Sequence, residues 1–172
     1  MTAAPDRDDA ADFPVEPHEF PERGPDALAS IPQRALARVL DTFVIALVPL
    51  VVLWGTNGID VVDDNIAIDA PGWLPLAILA GSAAYEIALV TLRGQTVGKM
   101  ILGIRVARAG HGGNPLPNQA TVRWLVPNVA GVIPVAEIAA IAVLVIYLSA
   151  AGNRLHQGLH DRAATTVVVR TR

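Results

Sequence analysis

The sequence predicts an all-α membrane protein, a multi-pass helical bundle with a small two-stranded cap on its cytoplasmic side. Three observations support this prediction. The 172 residues are 52% apolar and 17% charged, with a mean hydropathy of +0.44, more apolar than an ordinary soluble domain. The apolar residues fall in long blocks. Two short β-branched segments follow these blocks, and each needs a partner for its backbone groups.

Residues 1–32 are predicted to form a disordered acidic leader. They contain eight acidic residues, two arginines and six prolines, so they have too little apolar surface to offset the entropy lost on ordering. The segment also lacks the basic n-region and apolar h-region of a signal peptide. Residues 33–172 are therefore predicted to form the membrane domain.

Two apolar blocks are predicted to cross the bilayer as helices at about residues 34–55 and 73–93. The first contains VLDTFVIALVPLVVLW, and with its flanking residues it approaches the roughly 20 residues needed for a span. Its internal Pro49 is tolerated in transmembrane helices. The second is WLPLAILAGSAAYEIALVTL, which begins at Trp73 as an interfacial anchor and is closed by Arg93.

The distribution of charge predicts the orientation of these two spans. The connecting loop has four aspartates and neither lysine nor arginine. Basic residues precede the first block and follow the second: Arg34, Arg38, Arg93, Lys99, Arg105 and Arg108. By the positive-inside rule the N-terminus and residues 93–123 are cytoplasmic and the acidic loop is outside. We expect a bacterial plasma (inner) membrane protein.

The third apolar region, residues 124–151, allows two arrangements. A single span would place the arginine-containing tail outside, against the charge rule. Two helices, at about 118–133 and 135–151 and hinged near GVIP, would return the tail to the cytoplasm. The segments MILGIRVAR (100–108) and TTVVVRT (165–171) resemble strands, and they can pair only on one side of the membrane. We favour the hairpin and a cytoplasmic C-terminus.

Three acids lie within the apolar regions: Asp41, Glu86 and Glu137. Each is costly in hydrocarbon unless it is paired or hydrated. Arg34, Arg38 and Asp41 have i, i+4, i+7 spacing and share one helix face. Because the first two helices are antiparallel, Asp41 and Glu86 fall in the same half of the bilayer. We expect them to cluster with Arg34, Arg38, Arg93 or Arg123, either as an ion or proton pathway or as a fixed salt-bridge network.

The remaining motifs predict no catalytic or metal site and no cofactor. GQTVGKM is one residue short of a phosphate loop and has Met100 in place of the metal-binding hydroxyl, so its glycines are expected to form a tight turn. Lys99, Arg105 and Arg108 are expected to contact lipid headgroups, with pairing to acids as the alternative for the first two. His156 and His160 share a helical spacing but lack the glutamate of HExxH.

Three stretches together resemble the RDD family of small integral membrane proteins: RALARVLD, GQTVGKMILGIRV and LHDRAATTVVV. By this resemblance Arg34 and Asp41 are the family's arginine and first aspartate, and Asp161 is its second aspartate. The resemblance implies a membrane domain over residues 34–169. Some members of the family have been linked to cation–proton exchange.

The predicted function is a non-enzymatic accessory or scaffold protein of the membrane. The alternative is a cation–proton antiporter that uses Asp41 and Glu86. Expected partners are the lipid bilayer and either further copies of the chain or another membrane protein, with a monovalent cation or proton under the alternative and no nucleic acid. Asp161 is expected to anchor the cap by accepting hydrogen bonds from Arg105 or from an arginine at a helix end.

Overall fold

The structure, a computed structural model, describes residues 13–62, 65–131 and 135–172. Four longer helices form the bundle: α1 (Ile31–Gly55), α2 (Leu74–Arg93), α4 (Pro117–Gly131) and α5 (Ala136–Leu148). Two short helices, α3 (Val97–Ile101) and α6 (Leu159–Ala163), lie beside them. Two antiparallel strand pairs complete the fold: β1 (Ile59–Val62) with β2 (Asn65–Ile68), and β3 (Ile104–Arg108) with β4 (Thr166–Arg170).

The two long helices confirm the predicted pair of candidate spans. α1 begins with a capping box, in which Gln33 N donates to Ser30 Oγ and the Gln33 side chain accepts from Ser30 N at 3.1 Å. α2 ends at Gly94, whose φ of 67° is the left-handed conformation that closes a helix. Both helices are long and apolar enough to cross a membrane, with mean hydropathies of 2.3 and 1.6.

The apolar side chains of α1 and α2 mostly face outward. Only 11% of the most apolar window of α1 and 17% of that of α2 are buried. A core helix of a soluble protein would bury most of such a window. The outward apolar faces are therefore suited to contact with lipid.

The third apolar region is divided between two helices. α4 and α5 cover residues 117–131 and 136–148 and pack against each other, and a 3₁₀ turn at Ser149–Gly152 follows α5. Arg123 in the first half of α4 and Tyr147 near the end of α5 both contact α6. The two helices thus begin and end at the same side of the bundle, as the hairpin prediction requires. Residues 132–134, the centre of the predicted hinge, lie outside the described residues.

The two-stranded cap is confirmed as a pair of strands, with Val106 opposite Val168. One boundary was wrong: residues 100–103, predicted as strand, form the end of α3 and a turn at Gly103 with φ of 62°. Because that turn reverses the chain, the strand begins only at Ile104. The inner face of the pair joins the principal core, formed by Ala29, Ala37, Val90, Ile104, Val106, Ala120 and Val168.

The predicted disordered leader differs from the structure over residues 13–30. Ala29 N donates to Val168 O at 3.0 Å, and Arg170 N donates to Ala27 O at 2.8 Å, so this segment covers the free edge of β4. Phe20 packs with the outer residues Val167 and Val169. An uncovered strand edge exposes unpaired backbone groups, which explains why this acidic segment is ordered against the cap. Residues 1–12 lie outside the described residues.

The acidic loop between the first two helices contains a hairpin that the sequence analysis did not predict. Ile59 pairs with Ile68 across β1 and β2. The hairpin lies at the end of α1 and α2 opposite the cap, near the exposed side chains of Trp54 and Trp73. Its β-branched residues and its flanking glycine and proline were the available signal.

Candidate functional site

A group of ionised side chains is buried where α1, α2 and α4 meet the cap. The charge cluster, as we call it, unites five of the six residues predicted to lie together, all except Arg93, and adds Asp161 and Lys99. Its members are Arg34, Arg38, Asp41, Glu86, Lys99, Arg123 and Asp161. Charges removed from water at this density require close pairing, and the pairs divide into three centres.

The first centre is the Asp41 carboxylate on α1. It accepts hydrogen bonds from the Tyr85 hydroxyl at 2.8 Å, the Thr96 hydroxyl at 2.5 Å and the Gly98 backbone N–H at 2.8 Å. The Lys99 ammonium lies 3.6 Å away. A single side chain thereby joins α1 to α2 and α3, and both of its oxygens are occupied.

Gly98 allows this contact because its backbone approaches α1 closely. A Cβ atom at this position would overlap the Ala37 carbonyl and come within 3.0 Å of the Asp41 carboxylate. Only glycine leaves room there for the N–H to reach the acid. The GQTVGKM segment is therefore built around a carboxylate of its own chain.

The second centre is the Asp161 carboxylate on α6. Its Oδ2 accepts from Arg34 Nη1 at 3.1 Å and from the Gly158 N–H at 3.3 Å, and its Oδ1 pairs with Arg123 Nη1. The pairing to Gly158 also satisfies a donor at the start of α6. Asp161 was expected to pair with Arg105 or with an arginine at a helix end; it pairs with Arg34 near the start of α1 and with Arg123 in the middle of α4.

Arg34 extends this centre into the cap. Its Nε donates to Ala29 O at 3.2 Å, its Nη2 donates to Val168 O at 3.0 Å, and its Nη1 also donates to His156 O. The planar guanidinium presents five donors in a fixed fork. One arginine therefore satisfies carbonyls from the N-terminal segment, from β4 and from the loop before α6.

The third centre is the pair between Arg38 on α1 and Glu86 on α2. Arg38 Nη1 donates to Glu86 Oε2 at 2.8 Å, and the guanidinium lies 5.5 Å from the centre of the Tyr147 ring. The two partners differ in exposure, with 33% of the Arg38 side chain exposed against 9% for Glu86. Arg38 is thus the member of the cluster most open to the surroundings.

Two buried groups next to the cap have lowered pKa values. Burial lowers the pKa of Lys99 to about 8, opposed by the nearby Glu86 and Asp41 carboxylates, so the amine is still mainly charged at pH 7. Burial, followed by the positive charges of Arg123 and Arg38, holds the pKa of His160 well below its ordinary value of 6.5. His160 is therefore neutral, and its ring lies 4.8 Å from that of Tyr147.

Several predicted residues have other surroundings than expected. Arg93 is exposed at the end of α2, outside the charge cluster, because the chain turns away at Gly94. Lys99 was expected at lipid headgroups, but it is only 7% exposed and faces Asp41. Arg105 pairs with Asp26 at 2.8 Å, the acid-pairing alternative.

The histidines and the remaining acid of the sequence analysis do not join in a metal site. Within residues 13–62, 65–131 and 135–172, no three metal-binding side chains converge. His156 lies in a turn with φ of 53° and its Nδ1 is 3.3 Å from Ala29 O. Arg108 contacts His111 at 3.0 Å, and Glu137 is exposed in the first turn of α5.

Three members of this site were not predicted from the sequence: Tyr85, Thr96 and Tyr147. Tyr85 precedes Glu86, and Thr96 lies two residues before Gly98. A polar aromatic residue within an apolar helix was the available signal, because a buried hydroxyl needs a hydrogen-bond partner. No comparable signal existed for Thr96.

A cavity of about 500 Å³ lies over the charge cluster between α1 and α5. Its polar end is formed by Arg34, Arg38, Glu86, Lys99, Arg123, His160 and Asp161. Its walls are apolar and include Val39, Phe43, Ala46, Leu144 and Leu148. We call this cavity the α1–α5 groove.

We expect Asp161→Ala to reduce the amount of folded protein. The change leaves the Arg34 and Arg123 guanidinium groups without their counter-ion, and removing one partner of a buried pair costs about 3–5 kcal/mol. Abundance in the membrane fraction and the melting temperature of purified protein measure the effect. Arg162→Ala, at the exposed neighbouring position, is the control and should be neutral. Normal abundance and melting of the Asp161→Ala protein, with activity lost, would instead assign Asp161 a functional role.

Comparison with known sequences agrees with this geometry. Residues 28–165 match the RDD family, a range that contains Arg34, Asp41 and Asp161. No curated protein and no solved structure shows a significant match. The family match spans most of the chain and includes all three centres of the charge cluster. The chain therefore belongs to the RDD family.

Proposed function

We propose that this protein is a non-enzymatic accessory protein of the bacterial plasma membrane that docks a partner on its cytoplasmic cap. The observation that carries the proposal is the saturation of Asp41, which accepts three hydrogen bonds and faces Lys99. A carboxylate held by this many fixed donors ties helices together. Its arrangement favours a structural role over the binding and release of a cation.

The proposed orientation has both termini and the cap in the cytoplasm. It is supported by the acidic loop at one end of α1 and α2 and by the basic residues at the other. α4 and α5 supply further support, because both helices of that pair contact α6. α4 has 15 residues and rises about 22 Å at 1.5 Å per residue, which is shorter than the hydrocarbon core. We therefore propose that α4 and α5 together form a hairpin that enters the membrane from the cytoplasmic side and returns to that side.

A topology reporter tests this orientation. Alkaline phosphatase, which is active only outside the cytoplasm, should be inactive when fused after Arg172 and active when inserted after Gly72. The second fusion is the matched positive control, because it places the reporter in the acidic loop. Activity at both positions would mean that residues 124–151 cross the membrane once, which would place β3 and β4 on opposite sides of the membrane and contradict their pairing.

The proposed docking surface consists of exposed arginines that do not belong to the charge cluster. Exposed arginines at the cap end of the molecule include Arg93, Arg154, Arg162 and Arg172. They stand apart from the centres formed by Asp41, Glu86 and Asp161, and their positive charges remain available to an acidic partner. Such a surface gives specificity and fast association more than raw affinity.

We expect the double variant Arg154→Glu, Arg162→Glu to lose its partner while keeping normal abundance, because both side chains are exposed. Cross-linking in cells followed by affinity purification measures partner recovery. The control is Arg154→Lys, Arg162→Lys, which retains both charges. Equal recovery with the glutamate and lysine variants, or recovery of no specific protein with the natural chain, would contradict the docking proposal.

The alternative is a cation–proton antiporter that uses Asp41 and Glu86. The observation in its favour is that Glu86 lines the α1–α5 groove. A bundle of only four longer helices offers little room for a complete pathway, so transport would require an oligomer.

Reconstituted proteoliposomes separate the two functions. Under our proposal, a sodium or potassium gradient drives no more proton movement than in protein-free liposomes, with a chemical sodium–proton ionophore as the positive control. Proton movement that is lost in Asp41→Asn or Glu86→Gln would establish the antiporter. Movement that persists in both variants would exclude these acids as its carriers.

A further inference from the structure

The α1–α5 groove has the form of a site for an amphiphile. One end contains charged side chains, and the walls leading away from it are apolar. The side chains along the walls are also open to the exterior, since Phe43 is 69% and Leu144 56% exposed. Its volume of about 500 Å³ is within the roughly 300–1,000 Å³ typical of small-molecule sites.

The charge at the polar end favours an anion. Its ionised lining residues comprise four bases, Arg34, Arg38, Lys99 and Arg123, against two acids, Glu86 and Asp161. Asp41 behind Lys99 supplies a third negative charge. Four positive and three negative charges leave one positive charge uncompensated in surroundings of low dielectric, where it attracts an anion strongly.

Arg38 is the residue placed to receive that anion. Its side chain is 33% exposed, against 12% for Arg34 and 9% for Lys99. Within the described part of the chain its hydrogen bonding uses only Nη1, toward Glu86. The Nε and Nη2 donors remain for a ligand, and a guanidinium binds phosphate oxygens well in this fork geometry.

We propose that the α1–α5 groove binds one anionic glycerophospholipid. The phosphate accepts hydrogen bonds from Arg38, and one acyl chain lies along the apolar walls between α1 and α5. A small soluble anion would use only the polar end and leave these walls uncovered. A zwitterionic lipid would bring a second, positive group to a site that already has a surplus of positive charge.

Native mass spectrometry of the purified full-length protein in neutral detergent, titrated with phosphatidylglycerol or phosphatidylcholine, tests the site. We expect one phosphatidylglycerol to remain bound at a concentration roughly tenfold lower than phosphatidylcholine, the factor expected from one charge-assisted hydrogen bond. Arg38→Gln should abolish this preference, whereas Arg38→Lys should retain part of it. Arg93→Gln is the matched control, because that arginine is exposed outside the groove.

A second variant keeps the test independent of the Arg38–Glu86 pair. Ala46→Trp fills the apolar wall at an exposed position and leaves every charge in place, so it should fold normally and lose the bound lipid. Equal retention of the two lipids by the natural chain would overturn the proposal, as would normal lipid binding by both Arg38→Gln and Ala46→Trp. Displacement of phosphatidylglycerol by an equal concentration of inorganic phosphate would show a simple anion site and would also overturn it.

Discussion

The fold depends on the pairing of one carboxylate, Asp161, with two arginines from different helices. Its contacts with Arg34 on α1 and Arg123 on α4 bring the short α6 against the bundle. Because α6 leads directly into β4, this pairing also determines where the last strand lies and therefore where β3 finds its partner. Buried charges of this kind are stabilised only when each has a counter-ion and further hydrogen bonds. The cap supplies both, since Arg34 donates in addition to three backbone carbonyls.

Asp41 has the same role on the other side of the cap. It joins the α3 segment to α1 through the Gly98 amide, which approaches because glycine has no side chain. The two aspartates thus hold different segments against the bundle. Asp41 holds the segment that follows α2, and Asp161 holds the segment that follows α5. The RDD match includes both together with Arg34, and the contacts of these three residues give each of them a structural role in this chain. Arg34 donates a hydrogen bond to Asp161, and Asp41 accepts a hydrogen bond from the Gly98 amide of α3.

Much of this arrangement is readable in the sequence, and the remainder depends on contacts between distant residues. The apolar blocks predict α1 and α2, and the β-branched runs predict the β3–β4 pair, because those patterns are local. Asp41 and Glu86 could be placed near each other because the two helices are antiparallel. Lys99 could not be assigned, because a lysine after a span is ordinarily at headgroups, and only the approach of α3 to α1 buries it. The ordered conformation of residues 13–30 likewise could not be predicted from the local sequence. It depends on hydrogen bonds to the free edge of β4, more than a hundred residues away.

The balance of charge connects the proposed structural role to the groove. If the acids of the cluster exactly neutralised its bases, the polar end of the groove would have no preference for either sign of ligand. The cluster has three acids against four bases. Arg38, its most exposed member, is the base whose Nε and Nη2 hydrogen-bond donors are unused by Glu86. A cation carrier that used Asp41 would need the opposite arrangement, with unoccupied carboxylate oxygens of Asp41 facing the open side. Here the open side faces an arginine while the Asp41 oxygens are turned inward to Tyr85, Thr96 and Gly98. The same distribution that disfavours cation exchange at Asp41 is consistent with the proposed anionic lipid, which would cover the apolar walls between α1 and α5.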